Sequence, residues 1–132
     1  MNLKEELSCS IRGAVSDNKE DREACANDAS IFEIVPELVV TPKDLRDLKT
    51  IIHFVREKKA DHMNISITAR AAGTGMSGES LTSSIALDMK EFNHIIEVGE
   101  DNAITEPSVY YRDFEAATAK KGLLLPSYTA SK

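Results

Sequence analysis

The sequence lacks the groupings that mark a metal or redox centre. Cys9 and Cys25 have no metal-ligand spacing, and His53, His62 and His94 are scattered, so no zinc or redox motif assembles. Free thiols in such a setting act as small hydrophobes. An excess of basic residues is also missing. Lysine and arginine number 16 against 22 acids, for a net charge of −6. This balance argues against nucleic acid or an anionic membrane surface as main partner, since either favours a basic face. An anionic ligand would therefore need a local cluster of donors. Long apolar runs are absent too: Ile34 to Val40 is broken by Pro36 and Glu37, and Leu123 to Leu125 is short, so no transmembrane segment is expected. The opening MNLKEELS carries acids where a signal peptide would be apolar, which makes the cytoplasm the expected location. Neither internal repeats nor low-complexity segments occur.

The 132 residues are enough for one domain or part of one, and few for a complete two-domain enzyme. The tail LLLPSYTASK ends without a helix cap, which reads as truncation. Residues 1–27 are polar and mixed in charge, as in an arm or a solvated helix. Leu3, Leu7 and Ile11, recurring every four residues, can lay a short helix on the body. From Asn27 the character changes. Pro36 precedes an apolar strand, Leu38 to Val40, which Pro42 ends. Thr41, Pro42, Lys43 and Asp44 form a helix start, and Leu45, Leu48, Ile52 and Val55 give the expected buried stripe of a helix to about Lys59. A strand beginning at Ile65 completes a βαβ unit with two parallel strands. Ser84 to Met89 reads as the next strand. Ile95 to Val98 and Ala103 to Glu106 form a hairpin with turn-tolerant backbone at Gly99 and Asn102. Tyr111 to Lys121 reads as a helix with Phe114, Ala117 and the Lys121 stem inward, and Gly122 follows it as a C′ residue. The order β-α-β-loop-β-β-β-α makes this an α+β chain with a small mixed sheet and flanking helices.

The informative stretch is ISITARAAGTGMSG, Ile65 to Gly78. Ile65, Ser66, Ile67 and Thr68 alternate as in a half-buried strand that runs through Ala69 and Arg70 into a loop of small side chains. Ala71, Ala72, Gly73, Thr74, Gly75, Ser77 and Gly78 leave peptide N–H groups open to close approach, with Met76 the one large side chain among them. That composition suits a phosphate. Gly73, Gly75 and Gly78 match G-x-G-x-x-G, and Asp88 mimics a ribose-binding acid. A Rossmann site, however, needs a crossover helix after the third glycine, and only Glu79 to Ser83 separate Gly78 from the next strand. No Gly-Lys-Ser/Thr ends the loop, which weighs against a P-loop more strongly still. A tight turn packed on a helix remains an alternative, although a turn needs only one or two such residues.

Thr68 to Gly78, with Asp28-Ala29-Ser30 and Pro36 to Pro42 before it, resembles the flavin-binding (PCMH-type) domain of the vanillyl-alcohol oxidase superfamily. Within that superfamily the chain is most similar to the glycolate oxidase subunit and D-lactate dehydrogenase group of FAD-linked oxidoreductases. The resemblance takes in Ile11 to Val15, Leu87-Asp88-Met89, Ile95 to Val98 and Gly122 to Ser127, in collinear order. It implies that residues 28–132 are the first half of an FAD-binding domain, without the second half and the substrate domain that carries the catalytic residues. The resemblance assigns Arg70, Ala71, Ala72, Gly73, Thr74, Gly75, Met76, Ser77 and Gly78 to the FAD pyrophosphate, and the segment from Pro126 and Ser127 to Ser131 to the approach to the flavin. Thr74 and Ser77 can add hydroxyl donors, with Ser77 equally suited to cap the short turn after it, and Arg70 either holds the loop or reaches a phosphate. Ala71 and Ala72 stand where relatives usually have glycine. The loop contains no histidine, so the expected FAD is non-covalent. The implied activity is oxidation of a small 2-hydroxy acid such as glycolate or D-lactate, with no catalytic residue named in this chain. The three histidines read as structural or surface residues, and Tyr128 lies near the flavin segment. The alternative is a stand-alone binding module of the same fold without redox activity, whose unfinished face would favour self-association.

Overall fold

The computed structural model of the chain describes residues 2–127. It divides into two compact units, Met1–Glu91 and Phe92–Lys132. The first contains α1 (Leu3–Ser10), β1 (Ala14–Ser16), α2 (Lys19–Ala24), β2 (Leu38–Thr41), α3 (Leu45–Lys58), β3 (Ile67–Arg70) and β4 (Ile85–Asp88). The second contains β5 (Ile95–Val98), β6 (Ala103–Thr105) and α4 (Tyr111–Ala119).

In the first unit the two most apolar strands are central, because a parallel strand covered on both faces must be apolar on both. All four residues of β2 are buried, as are the first three of β4. The sheet order is β1-β2-β4-β3. β4 runs parallel to both neighbours, with Val39 opposite Ala86 and Thr68 opposite the same residue on the other side. β2 and β3 are therefore parallel, as the βαβ pattern predicts, and β4 is inserted between them. Val39, Ala86 and Cys25 form one buried cluster. β1 pairs antiparallel with β2, Val15 opposite Val40. The polar N-terminal stretch thus contributes an edge strand and two helices, and Leu7 of α1 is fully buried. Glu6 of α1 pairs with Lys58 of α3 at 2.5 Å.

Helix α3 differs from its expected start and phase. Asp44, not Thr41, is the N-cap, and its carboxylate accepts the N–H groups of Arg46 and Asp47. The buried row is Asp47, Ile51 and Val55, whereas Leu45 is exposed and Ile52 is 52 % exposed. The cause is a buried carboxylate. Asp47, 2 % exposed, accepts the backbone N–H groups of Arg12 (3.0 Å), Gly13 (2.8 Å) and Lys43 (2.9 Å). Turning Asp47 inward brings its i+4 and i+8 partners with it, because residues so spaced share one face. Gly13 has to be glycine for the same contact: a Cβ there would overlap the Thr41 carbonyl oxygen.

The second unit is an antiparallel hairpin followed by a helix. β5 and β6 pair with a bulge between Ile95 and Glu97, and the Gly99 N–H donates to the Asn102 carbonyl across the turn, as expected. His94 Nδ1 lies 2.6 Å from Glu106 Oε2, closing the open end. Helix α4 buries Thr118 and ends two residues before the expected Lys121. Gly122, at φ +72°, and Leu123 donate back to the Ala119 and Thr118 carbonyls, so the C′ reading of Gly122 describes the turn.

Asp47→Ala leaves three part-buried N–H donors without their acceptor and should destabilise the fold by about 1–3 kcal/mol in urea denaturation. Burial works to raise the Asp47 pKa, but the three N–H donors and the nearby Arg12 charge outweigh it and hold the carboxyl below the ordinary aspartate value. A depressed folded pKa means the contribution is present above the unfolded value of about 3.9 and is lost as pH falls through the folded one. The wild type should therefore lose stability below pH ~4 more steeply than Asp47→Ala.

Candidate functional site

Residues 71–84 join β3 to the adjacent parallel β4. Such a connection needs about a dozen residues or more, usually a helix. Here it is made without one, by the glycine-rich loop and the turns after it. Gly73 (φ +65°) and Gly78 (φ +80°) take the left-handed conformations, and no non-glycine residue does so among the described residues. Ala71 and Ala72 accordingly carry no left-handed strain.

Arg70, the last residue of β3, fixes the loop's first turn. Its guanidinium lies over Gly73, where a Cβ would overlap it, and donates to the carbonyls of Asn27 (2.7 Å) and Cys25 (3.4 Å). Of the two roles open to Arg70 from the sequence, this geometry is the loop-holding one. The partner segment is itself closed by an Asn27–Glu33 bridge and by Ile34 N–H donating to the Ala26 carbonyl. It reaches the loop at three further points. Ala29 N–H donates to the Gly75 carbonyl (3.0 Å), the Phe32 ring packs on Gly78, and Asp28 accepts the Ser80 hydroxyl (3.3 Å). Beside this wall, Ile31 is 95 % exposed and Met76 81 %.

Two features of the loop bear on anion binding. Among the described residues the N–H groups of Gly73, Gly75, Met76 and Gly78 have no intramolecular acceptor. The fifth, Ser77 N–H, donates to Glu79 Oε2 (3.2 Å), which also accepts the Ser77 hydroxyl (2.7 Å). The Glu79 carboxylate lies against Gly75, where a Cβ would overlap it. The Ser77 hydroxyl, followed by backbone N–H groups, holds Glu79 below the usual glutamate range. Uncommitted peptide donors are the donor set a phosphate oxygen requires, so these N–H groups fit a diphosphate, with the Glu79 carboxylate standing over Gly75 in its absence.

Sequence reasoning missed the carbonyls of Cys25 and Asn27, the ring of Phe32, and Glu79. The Ser77-Met76-Gly75 run drew attention to small side chains, while the acid two residues beyond Ser77 was the signal overlooked. Pro126 and Ser127 belong to the second unit, where Pro126 lines a cavity of about 130 Å³ with Phe114, Thr118 and Leu123. Ser127 is exposed, and Tyr128 and Ser131 lie outside the described residues. His53, His62 and His94 are all exposed, and no cluster able to hold a metal occurs among the described residues. No described helix is long and apolar enough to cross a membrane.

A family model described as FAD binding domain matches residues 36–132. D-2-hydroxyglutarate dehydrogenase of Pseudomonas putida is 32% identical over 89 residues, which is 67% of this chain and 9% of that protein. The Escherichia coli protein of the same name is 30% identical over 82 residues, 61% of this chain and 8% of that protein. The chain thus spans less than a tenth of the length of these relatives. Among solved structures, 6-hydroxy-D-nicotine oxidase from Arthrobacter nicotinovorans superposes with TM-score 0.69 at 22% identity, covering 86% of this chain and 25% of that one. p-Cresol methylhydroxylase gives 0.69 at 18% identity, covering 88% and 24%. These two show the fold: the mixed α+β architecture of PCMH-type FAD-binding domains.

Gly73→Ala forces a Cβ into a left-handed position and against the Arg70 guanidinium. It should cost about 1–2 kcal/mol in thermal or urea denaturation and speed hydrogen exchange at Ala29, whose N–H depends on the loop's position.

Proposed function

The chain belongs to the FAD binding domain family, and from that premise we propose that residues 28–132 form the first half of such a domain, with the loop from Arg70 to Gly78 binding the FAD pyrophosphate. The observation that carries this reading is the set of N–H groups at Gly73, Gly75, Met76 and Gly78 that have no acceptor among the described residues. Peptide donors neutralise a diphosphate without a buried lysine, which suits a chain of net charge −6. Thr74 and Ser77 add hydroxyls, Arg70 keeps the loop in place, and Ala71 and Ala72 bring the backbone out of β3. Pro126 and Ser127 are assigned to the approach to the flavin. The loop contains neither histidine nor cysteine, which supports non-covalent binding.

At the level of reaction, we assign the chain to a flavin-dependent oxidoreductase acting on a 2-hydroxy acid. The support is the name of the relatives, which specifies D-2-hydroxyglutarate. Glycolate and D-lactate, which the resemblance suggested, have no separate support, so the substrate is drawn at the class. Bound FAD supplies a hydride acceptor. This chain's part is to hold the diphosphate, and no residue of it is assigned to proton transfer. A second reading, a self-associating module without redox activity, is favoured by the exposure of Ile31 and Met76 beside the loop and of Ile96 and Ile104 on the hairpin.

The test is FAD titration followed by flavin fluorescence quenching. Gly75 is not in a left-handed conformation, and the atoms nearest to an added Cβ all belong to the movable end of Glu79. Gly75→Val should therefore keep the far-UV spectrum and melting temperature while weakening FAD binding by about tenfold or more, since the branched side chain fills the diphosphate space. A wild type that fails to quench FAD at high micromolar concentration, and sediments as a dimer, would favour the module instead.

A further inference from the structure

Glu79 does not fit a loop that merely awaits an anion. Its carboxylate is already there: one oxygen takes both the N–H and the hydroxyl of Ser77, and the other lies against Gly75. Gly75 needs no left-handed backbone, so what its missing side chain provides is room, and Glu79 fills that room. Two donors converging on one oxygen is also how a phosphate oxygen is held. No cation pairs with Glu79 among the described residues. Asp28, across Ser80, is a second acid that opposes it, and the Arg70 guanidinium, over Gly73, is committed to the Cys25 and Asn27 carbonyls.

We propose that Glu79 is an internal competitor for the pyrophosphate position, holding the Ser77 donors and the space over Gly75 until the diphosphate displaces it. The proposal rests on the pyrophosphate reading of the loop and concerns how strongly that site binds. A diphosphate would otherwise add its charge beside two carboxylates with one guanidinium in reach. Displacement swings Glu79, which is already exposed, away from the loop and frees Ser77 N–H to join the donors of Gly73, Gly75, Met76 and Gly78. The affinity for the ligand is then the difference between two anions on one set of donors. Keeping the carboxylate in place without ligand has a structural benefit as well, since it satisfies Ser77 and holds the loop open in the shape the phosphate will use.

The experiment compares the wild type with Glu79→Gln and Glu79→Ala, titrating each with FAD and with inorganic pyrophosphate and checking each fold by melting temperature. Glutamine keeps an acceptor for Ser77 but removes the charge; alanine removes both. Competition predicts that both variants bind both ligands more tightly, by about three- to tenfold, with alanine at least as tight as glutamine. Affinity that is unchanged or weaker in Glu79→Gln overturns the proposal, and a weaker Glu79→Ala alone identifies Glu79 as a positioning residue for the loop. If neither the wild type nor either variant binds FAD or pyrophosphate, the pyrophosphate reading itself fails and the competitor role falls with it. Measurable, equal binding by all three leaves the site standing and removes only the competitor.

Discussion

The carboxylate of Asp47 is the contact on which the first unit depends. It gathers three backbone N–H groups from two places in the chain, the approach to β1 at Arg12 and Gly13 and the turn into α3 at Lys43. A buried charge is stable only when its hydrogen-bond capacity is filled, and here it is filled by backbone donors that would themselves be orphaned without it. One interaction therefore sets β1 on β2 in register, fixes the turn after β2, and turns α3 so that Ile51 and Val55 are buried. Gly13 permits the approach by leaving the Thr41 carbonyl uncovered.

The glycine-rich loop is built on the opposite principle. Its shape is held from outside by Arg70 on two carbonyls, Ala29 on the Gly75 carbonyl and Phe32 on Gly78, so that the loop's own N–H groups need not be used to hold it. A turn that satisfied itself would have nothing left for a ligand. The segment from Cys25 to Ile34, unremarkable in composition, thereby becomes the support of the loop. Glu79 is the exception within the loop, an acid whose partners are the groups a phosphate would take.

The order of elements from β2 to α4 could be read along the chain, with ends misplaced by at most three residues, because strand alternation, helix periodicity and turn residues are local properties. The hairpin at Gly99 to Asn102 and the stop at Gly122 follow from the same local chemistry. Burial in α3 was misread for a specific reason: hydrophobicity placed Leu45 and Ile52 inward, whereas an aspartate with three distant partners took the buried position. The polar stretch before Asn27 hid an edge strand because three residues are too few for a pattern to show.

What the sequence determined by itself was the set of elements, the low-bulk loop between two strands, and the shortage of residues that rules out a Rossmann helix after Gly78. These depend on the bulk and spacing of neighbouring residues, which the chain states directly. Tertiary structure alone decided that β4 lies between β2 and β3, that Arg70 braces the loop from carbonyls more than forty positions earlier, and that Glu79 occupies the donors of Ser77. Each of those is a choice among partners, and a side chain's partner is fixed by which surfaces packing brings together rather than by the residues beside it.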